Sequence, residues 1–129
     1  MSGSYFVTAD QGQGARWSFT EEQLTRAAAE IHPGAEVAGP FDPHGMYEIT
    51  LRSPAGWKHS VTWQSEHMAF SFTEEDEIDI TAGFVLQVLR RFAPEAPAIW
   101  VADFVGNTHP FRPADLTPDE FVHKIRTET

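Results

Sequence analysis

Between Gly45 and Phe72 the chain changes to a period of two. Tyr47, Ile49 and Leu51 share one parity, then Trp57, His59, Val61 and Trp63, then Met68, Phe70 and Phe72. Successive side chains of a strand point to opposite faces, so this spacing predicts three antiparallel strands with one buried face. The turns set the register. A three-residue Pro54-Ala55-Gly56 loop, with Gly56 free to take a left-handed conformation, puts Leu51 opposite His59, Ile49 opposite Val61 and Tyr47 opposite Trp63. Continuing around Gln64 to His67 sets Trp63 against Met68, Val61 against Phe70 and His59 against Phe72. A slip of one residue would expose the whole aromatic face. The reverse face is Glu48, Thr50, Arg52, Lys58, Ser60, Thr62, Gln64, His67, Ala69 and Ser71. It is small and polar, charged towards one end, and has no apolar stripe for another layer. The expectation is a half-solvated sheet, covered by helices on the aromatic face and wet or partner-bound on the other.

Helices are announced by their caps. Thr20-Glu21-Glu22-Gln23 has capping-box spacing, with Phe19 and Leu24 as a hydrophobic staple, and Leu24, Ala27, Ala28 and Ile31 follow at helical intervals. Pro33 and Gly34 end that helix near His32. A second helix is predicted from about Asp79 to Phe92 on the stripe Ala82, Val85, Leu86, Leu89 and Phe92. Pro94 and Pro97 stop it, and Ala98 to Ala102 reads as an internal strand, with a turn at Gly106-Asn107 folding residues up to Phe111 back against it. A last helix opens at Thr117-Pro118-Asp119-Glu120, another capping box, with Leu116 and Phe121 as its staple. Residues 1–18 hold Gly12 and Gly14 in a polar context, and their order is left open; residues 19–129 are expected to form a single α+β domain. The predicted architecture is an antiparallel sheet of four or five strands with helices on one face, in the order α-β-β-β-α-β-(β)-α. Ser-Phe-Thr-Glu-Glu occurs at 18–22 and again at 71–75, which we read as convergent capping chemistry rather than duplication.

Composition then removes whole classes of function. Ten Phe, four Trp and two Tyr in 129 residues supply enough apolar surface for one core, which argues against disorder. With no cysteine there is no disulfide framework, thiolate nucleophile or cysteine-ligated metal. No stretch approaches the roughly 20 apolar residues that cross a bilayer, and Met1 to Asp10 lacks a signal-peptide pattern. A cytoplasmic location is expected. Nine Lys and Arg against 19 Asp and Glu leave a net charge of −10, which opposes nucleic acid and anionic membranes unless cations cluster. Arg90 and Arg91 form the only adjacent basic pair.

The side chains that could carry chemistry are scattered. The six histidines, His32, His44, His59, His67, His109 and His123, include no helical pair four apart, and the register sends His59 and His67 to opposite faces. Neither metal nor cofactor is expected. His59 reads as a core histidine among Trp57, Leu51 and Phe72, although Trp57, His59, Trp63 and Phe70 would line a pocket if the helices left room. Asp42 with His44, and Asp103 with His109, place a carboxylate near an imidazole, as a general base requires, yet polar loops supply such pairs without catalysis. Glu74, Glu75, Asp76, Glu77 and Asp79 lack the alternation and central glycine of a calcium loop and read as a solvated helix entrance. Trp17 and Phe41, in irregular segments, are candidates for partner contact.

The element order, at this size and acidity, resembles small α+β proteins typified by type III secretion chaperones. That resemblance implies a homodimer holding an extended effector segment on a hydrophobic surface. The profile is also similar to bacterial toxin immunity proteins, small acidic domains that neutralise a cognate toxin. Neither resemblance carries a site residue across. The expected function is therefore non-enzymatic: an immunity-type inhibitor binding one basic protein through Glu74, Glu75, Asp76 and Glu77, or through the polar face around Lys58, Ser60 and Thr62. The alternatives are an effector-binding chaperone, and a small hydrolytic or ligand-binding domain using His59, His44 or Asp42.

Overall fold

The computed structural model describes residues 3–128. It is an α+β fold of seven strands and three helices: β1 (Ser4–Ala9), α1 (Glu21–Ile31), β2 (Glu36–Ala38), β3 (Met46–Arg52), β4 (Lys58–Gln64), β5 (Ala69–Thr73), α2 (Ile78–Phe92), β6 (Ala98–Ala102), β7 (Thr108–Phe111) and α3 (Pro118–Glu128). The sheet order is β2-β3-β4-β5-β1-β6-β7, with every neighbouring pair antiparallel.

Two strands exceed the four or five expected. β1 comes from the segment whose order the sequence left open, and it occupies the middle of the sheet between β5 and β6. The strands β5 and β6 are both antiparallel to β1 and hence parallel to each other, so α2 crosses over β1 to connect them. β2 is a three-residue edge strand on β3. The element order behind the chaperone resemblance therefore gains a strand at each of two places.

The first hairpin has the expected register, with Leu51 opposite His59, Ile49 opposite Val61 and Tyr47 opposite Trp63. The second is shifted by two residues: Trp63 lies opposite Phe70, not Met68. Met68 is the cause. It adopts a left-handed φ of 52° and closes a turn in which its N–H donates to the Ser65 carbonyl, so Met68 belongs to the turn. A two-residue shift preserves face parity, and the aromatic face survives it.

That face holds the core. Tyr5, Val7, Ile49, Leu51, Val61, Trp63, Phe70, Phe72 and Trp100 pack with Leu24 and Ala28 of α1, Val85, Leu86 and Leu89 of α2, and Phe121 and Ile125 of α3. Phe19, just before α1, stacks within 5.4 Å of Trp63 and 5.1 Å of Phe92, joining the staple to the sheet. Trp17 is buried with it, which removes Trp17 as a partner contact.

Both predicted capping boxes form. Thr20 accepts from the Gln23 N–H while the Gln23 side chain accepts from the Thr20 N–H. At α3 the Thr117 N–H donates to Glu120 at 2.9 Å, and the Glu120 N–H donates to the Thr117 hydroxyl at 3.1 Å. The second Ser-Phe-Thr-Glu-Glu string behaves differently: Thr73 ends β5, and α2 starts after Glu77 without a side-chain cap. Identical pentapeptides thus take two structures, because different residues succeed them in the chain.

The α3 box gives a pH-dependent prediction. The Thr117 backbone N–H, and then its side chain, hold the Glu120 carboxyl below its ordinary value of 4.5. A carboxylate lowered in the folded state stabilises above the unfolded value, and that contribution is lost as pH falls through the folded one. Glu120→Gln should therefore flatten the acid limb of the stability curve, measured by urea midpoints from neutral to acidic pH. Parallel curves for the two proteins would contradict it.

Candidate interaction surface

The three helices share one face of the sheet, and on the other face no described element covers the strands. Two halves of this open face differ in chemistry. Across β3, β4 and β5 it presents Glu48, Thr50, Lys58, Ser60, Thr62 and Ser71, as alternation requires. Across β1, β6 and β7 it presents Phe6 directly opposite Val101, and Ile99 between Thr8 and Pro110. Phe6, Ile99 and Val101 are half-buried by their neighbours yet lie on the uncovered side. The expected absence of an apolar stripe on the reverse face of the three strands holds for β3, β4 and β5, while an apolar stripe sits on β1 and β6, outside that expectation.

At one end of the face a cavity of about 350 Å³ is lined by Ser4, Lys58, Ser60, Thr62, Ser71, Thr73 and Asp76, with Phe72 beside them. Lys58 and Ser60 are exposed, and Thr62 is half-buried. The cavity wall is built by an ordered loop. Asp76 turns inwards, where its Oδ1 lies 3.1 Å from His59 Nδ1 and its Oδ2 accepts from the Thr73 N–H at 3.3 Å and hydroxyl at 3.1 Å. Glu74 accepts from the Gly3 N–H at 2.9 Å, tying the loop to β1. Of the four acids proposed for partner binding, Glu74, Glu75 and Glu77 are exposed, whereas Asp76 is committed to holding the loop.

His59 is the core histidine expected, but its neighbours differ from those expected. Leu51 lies opposite it on β3, and Asp76 supplies a partner that the sequence did not suggest. Trp57, by contrast, is 67% exposed at the hairpin tip, while Trp63 and Phe70 are packed in the core, so the four residues do not line one pocket. His59 Nε2 is enclosed with no hydrogen-bond partner among the described residues, and Glu77 Oε1 approaches to 3.8 Å.

The other acid–imidazole pairs come apart. Asp42 accepts from the backbone N–H groups of His44 and Met46, a turn-forming role, and the His44 ring lies 3.1 Å from Glu66. Asp103 accepts from the Ser4 N–H, while His109 stacks on Trp100 and meets Glu128 at 3.3 Å. His67 lies near His44, at the far end of the β3–β4 hairpin from His59. Along β4 that separation is on the order of 20 Å. Among the described residues no three His, Cys, Asp or Glu side chains gather as a metal site would need, and no helix is long and apolar enough to cross a membrane.

These features define an α+β protein with a one-sided sheet and a mixed apolar and polar open face. No family model matches the chain, and neither the curated proteins nor the solved structures give a match.

Proposed function

We propose that this chain is a non-enzymatic protein-binding domain that holds one basic protein on the open face of its sheet, as an immunity-type inhibitor holds its toxin. One observation carries the reading: Phe6, Val101 and Ile99 form an apolar strip on a face that no described element covers. Such a strip beside polar rows has the composition of an interface centre and rim. The net charge of −10, with Glu74, Glu75 and Glu77 exposed at the strip's end, would steer a basic partner and make association salt-dependent. A hydrolytic site at His59, His44 or Asp42 has less support, because the first is enclosed and the other two stand at the opposite end of the hairpin. An extended effector segment would also fit the strip.

The test is affinity capture from native cells at low salt, run in parallel with a Phe6→Asp/Val101→Asp variant. The expected result is one stoichiometric folded basic protein, released by high salt and held at least tenfold more weakly by the variant. Equal capture by both proteins would remove the open face as the site. Capture only of an unfolded substrate would favour the chaperone-like alternative.

A further inference from the structure

The strand ends on one side of the sheet gather an unusual set of side chains. Arg52 and Lys58 stand directly opposite each other in the β3–β4 ladder, where like charges repel. Arg26, Arg91, Arg112 and Arg126 each meet a carboxylate. Arg16, Arg52, Lys58, Arg90 and Lys124 are in no ion pair among the described residues, and of these Arg52 and Lys58 are cross-strand neighbours. Beside them is Trp57, the most exposed of the large apolar residues. Its turn is not loose: the Ser53 N–H donates to the Trp57 carbonyl at 2.9 Å, the Trp57 N–H donates to Ser53 Oγ at 3.2 Å, and the Gly56 N–H donates to the Ser53 carbonyl at 2.8 Å. These bonds fix the backbone that carries the exposed indole, which lowers the entropy cost of a contact made there.

The opposite chemistry lies farther along the same end. β5 ends at Thr73 and runs into exposed Glu74 and Glu75; the Glu74 N–H donates to the Gly3 carbonyl beside β1, and the Asp103 N–H to the Ser4 carbonyl beside β6. The next residues, Phe104 and Val105, are both exposed, so three of the four exposed large apolar residues lie at this end. Strand spacing of roughly 4.8 Å separates the two groups by on the order of 10–15 Å.

One half therefore offers cations with an aromatic ring, and the other offers acids with apolar side chains. Two halves of one surface that complement each other are what a two-fold axis between them requires, because residue i then meets j while j meets i. We propose that this end of the sheet binds a second copy of the chain. Arg52 and Lys58 of each copy face Glu74 and Glu75 of the other, and Trp57 packs on Phe104 and Val105 across the axis. The pairing goes beyond the protein-binding reading and stands without it. It also predicts that a basic partner and a second copy compete for Glu74 and Glu75.

Sedimentation of the purified full chain over a range of concentrations tests this with no partner present. The native protein is expected to form a reversible dimer weakened by salt. Arg52→Glu/Lys58→Glu and Glu74→Lys/Glu75→Lys should each weaken it on the order of a hundredfold, and mixing the two variants should restore a dimer to within about tenfold of the native affinity. Glu75→Lys alone keeps the Glu74–Gly3 bond and should weaken the dimer in the same direction, and Trp57→Ala should weaken it with the charges intact. Circular dichroism checks that each variant is folded. A native monomer at the highest soluble concentration, a native dimer indifferent to these substitutions, or a mixture that stays monomeric would each overturn the proposal.

Discussion

Val7→Asp is expected to leave the chain unfolded at room temperature, while Phe6→Asp, one residue away, leaves a cooperative fold. Val7 is completely buried in the central strand, opposite Phe70 on one side and Trp100 on the other. A carboxylate there has no partner and would cost several kcal/mol. Domains of this kind hold only about 5–15 kcal/mol in total, so most of the stability would go. Phe6 points to the open face, where water or a binding partner meets it. Far-ultraviolet circular dichroism with urea titration separates the two outcomes. A Val7→Asp protein as stable as the native one, or an unfolded Phe6→Asp one, would mean that the faces of β1 are reversed, and the proposed binding strip would be lost with them.

Asp76→Ala should be the other large effect, destabilising by about 3 kcal/mol. It removes the acceptor of His59 and of both Thr73 donors in one step. The imidazole would then be enclosed with neither nitrogen hydrogen-bonded. Asp76→Asn retains the shape and one acceptor oxygen and should lose clearly less. Urea midpoints at constant slope give the comparison. Equal stability of Asp76→Ala and the native protein would show that the loop stands without this contact. Because Glu74, Glu75 and Glu77 ride on the same loop, Asp76→Ala should also weaken partner binding.

The features legible in advance are local. The two capping boxes depend on residues three apart, and the β3–β4 register depends on a turn of three residues, so short stretches contain all the necessary chemistry. The β4–β5 register differs from expectation by two residues because Met68 takes a backbone conformation that side-chain pattern does not reveal. β1 escaped the periodicity argument although Tyr-Phe-Val-Thr is rich in aromatic and β-branched residues, a signal that could have found it. Its partners lie some 60 to 100 residues away in the chain, and nearby glycines weighed against it. The His59–Asp76 contact left no signal at all: an acidic run before a helix looks the same whether its members face water or a buried ring.

The sequence by itself determined the α+β class, the three helices with their starts, and the buried face of three strands, since caps and side-chain period act within a few residues. Only the tertiary structure decided the centre of the sheet, the inward turn of Asp76 and the company kept by Phe6, Ile99 and Val101. Those depend on β1 lying between β5 and β6, a contact between distant segments that is settled by where the largest apolar area is buried, and no local pattern records that choice.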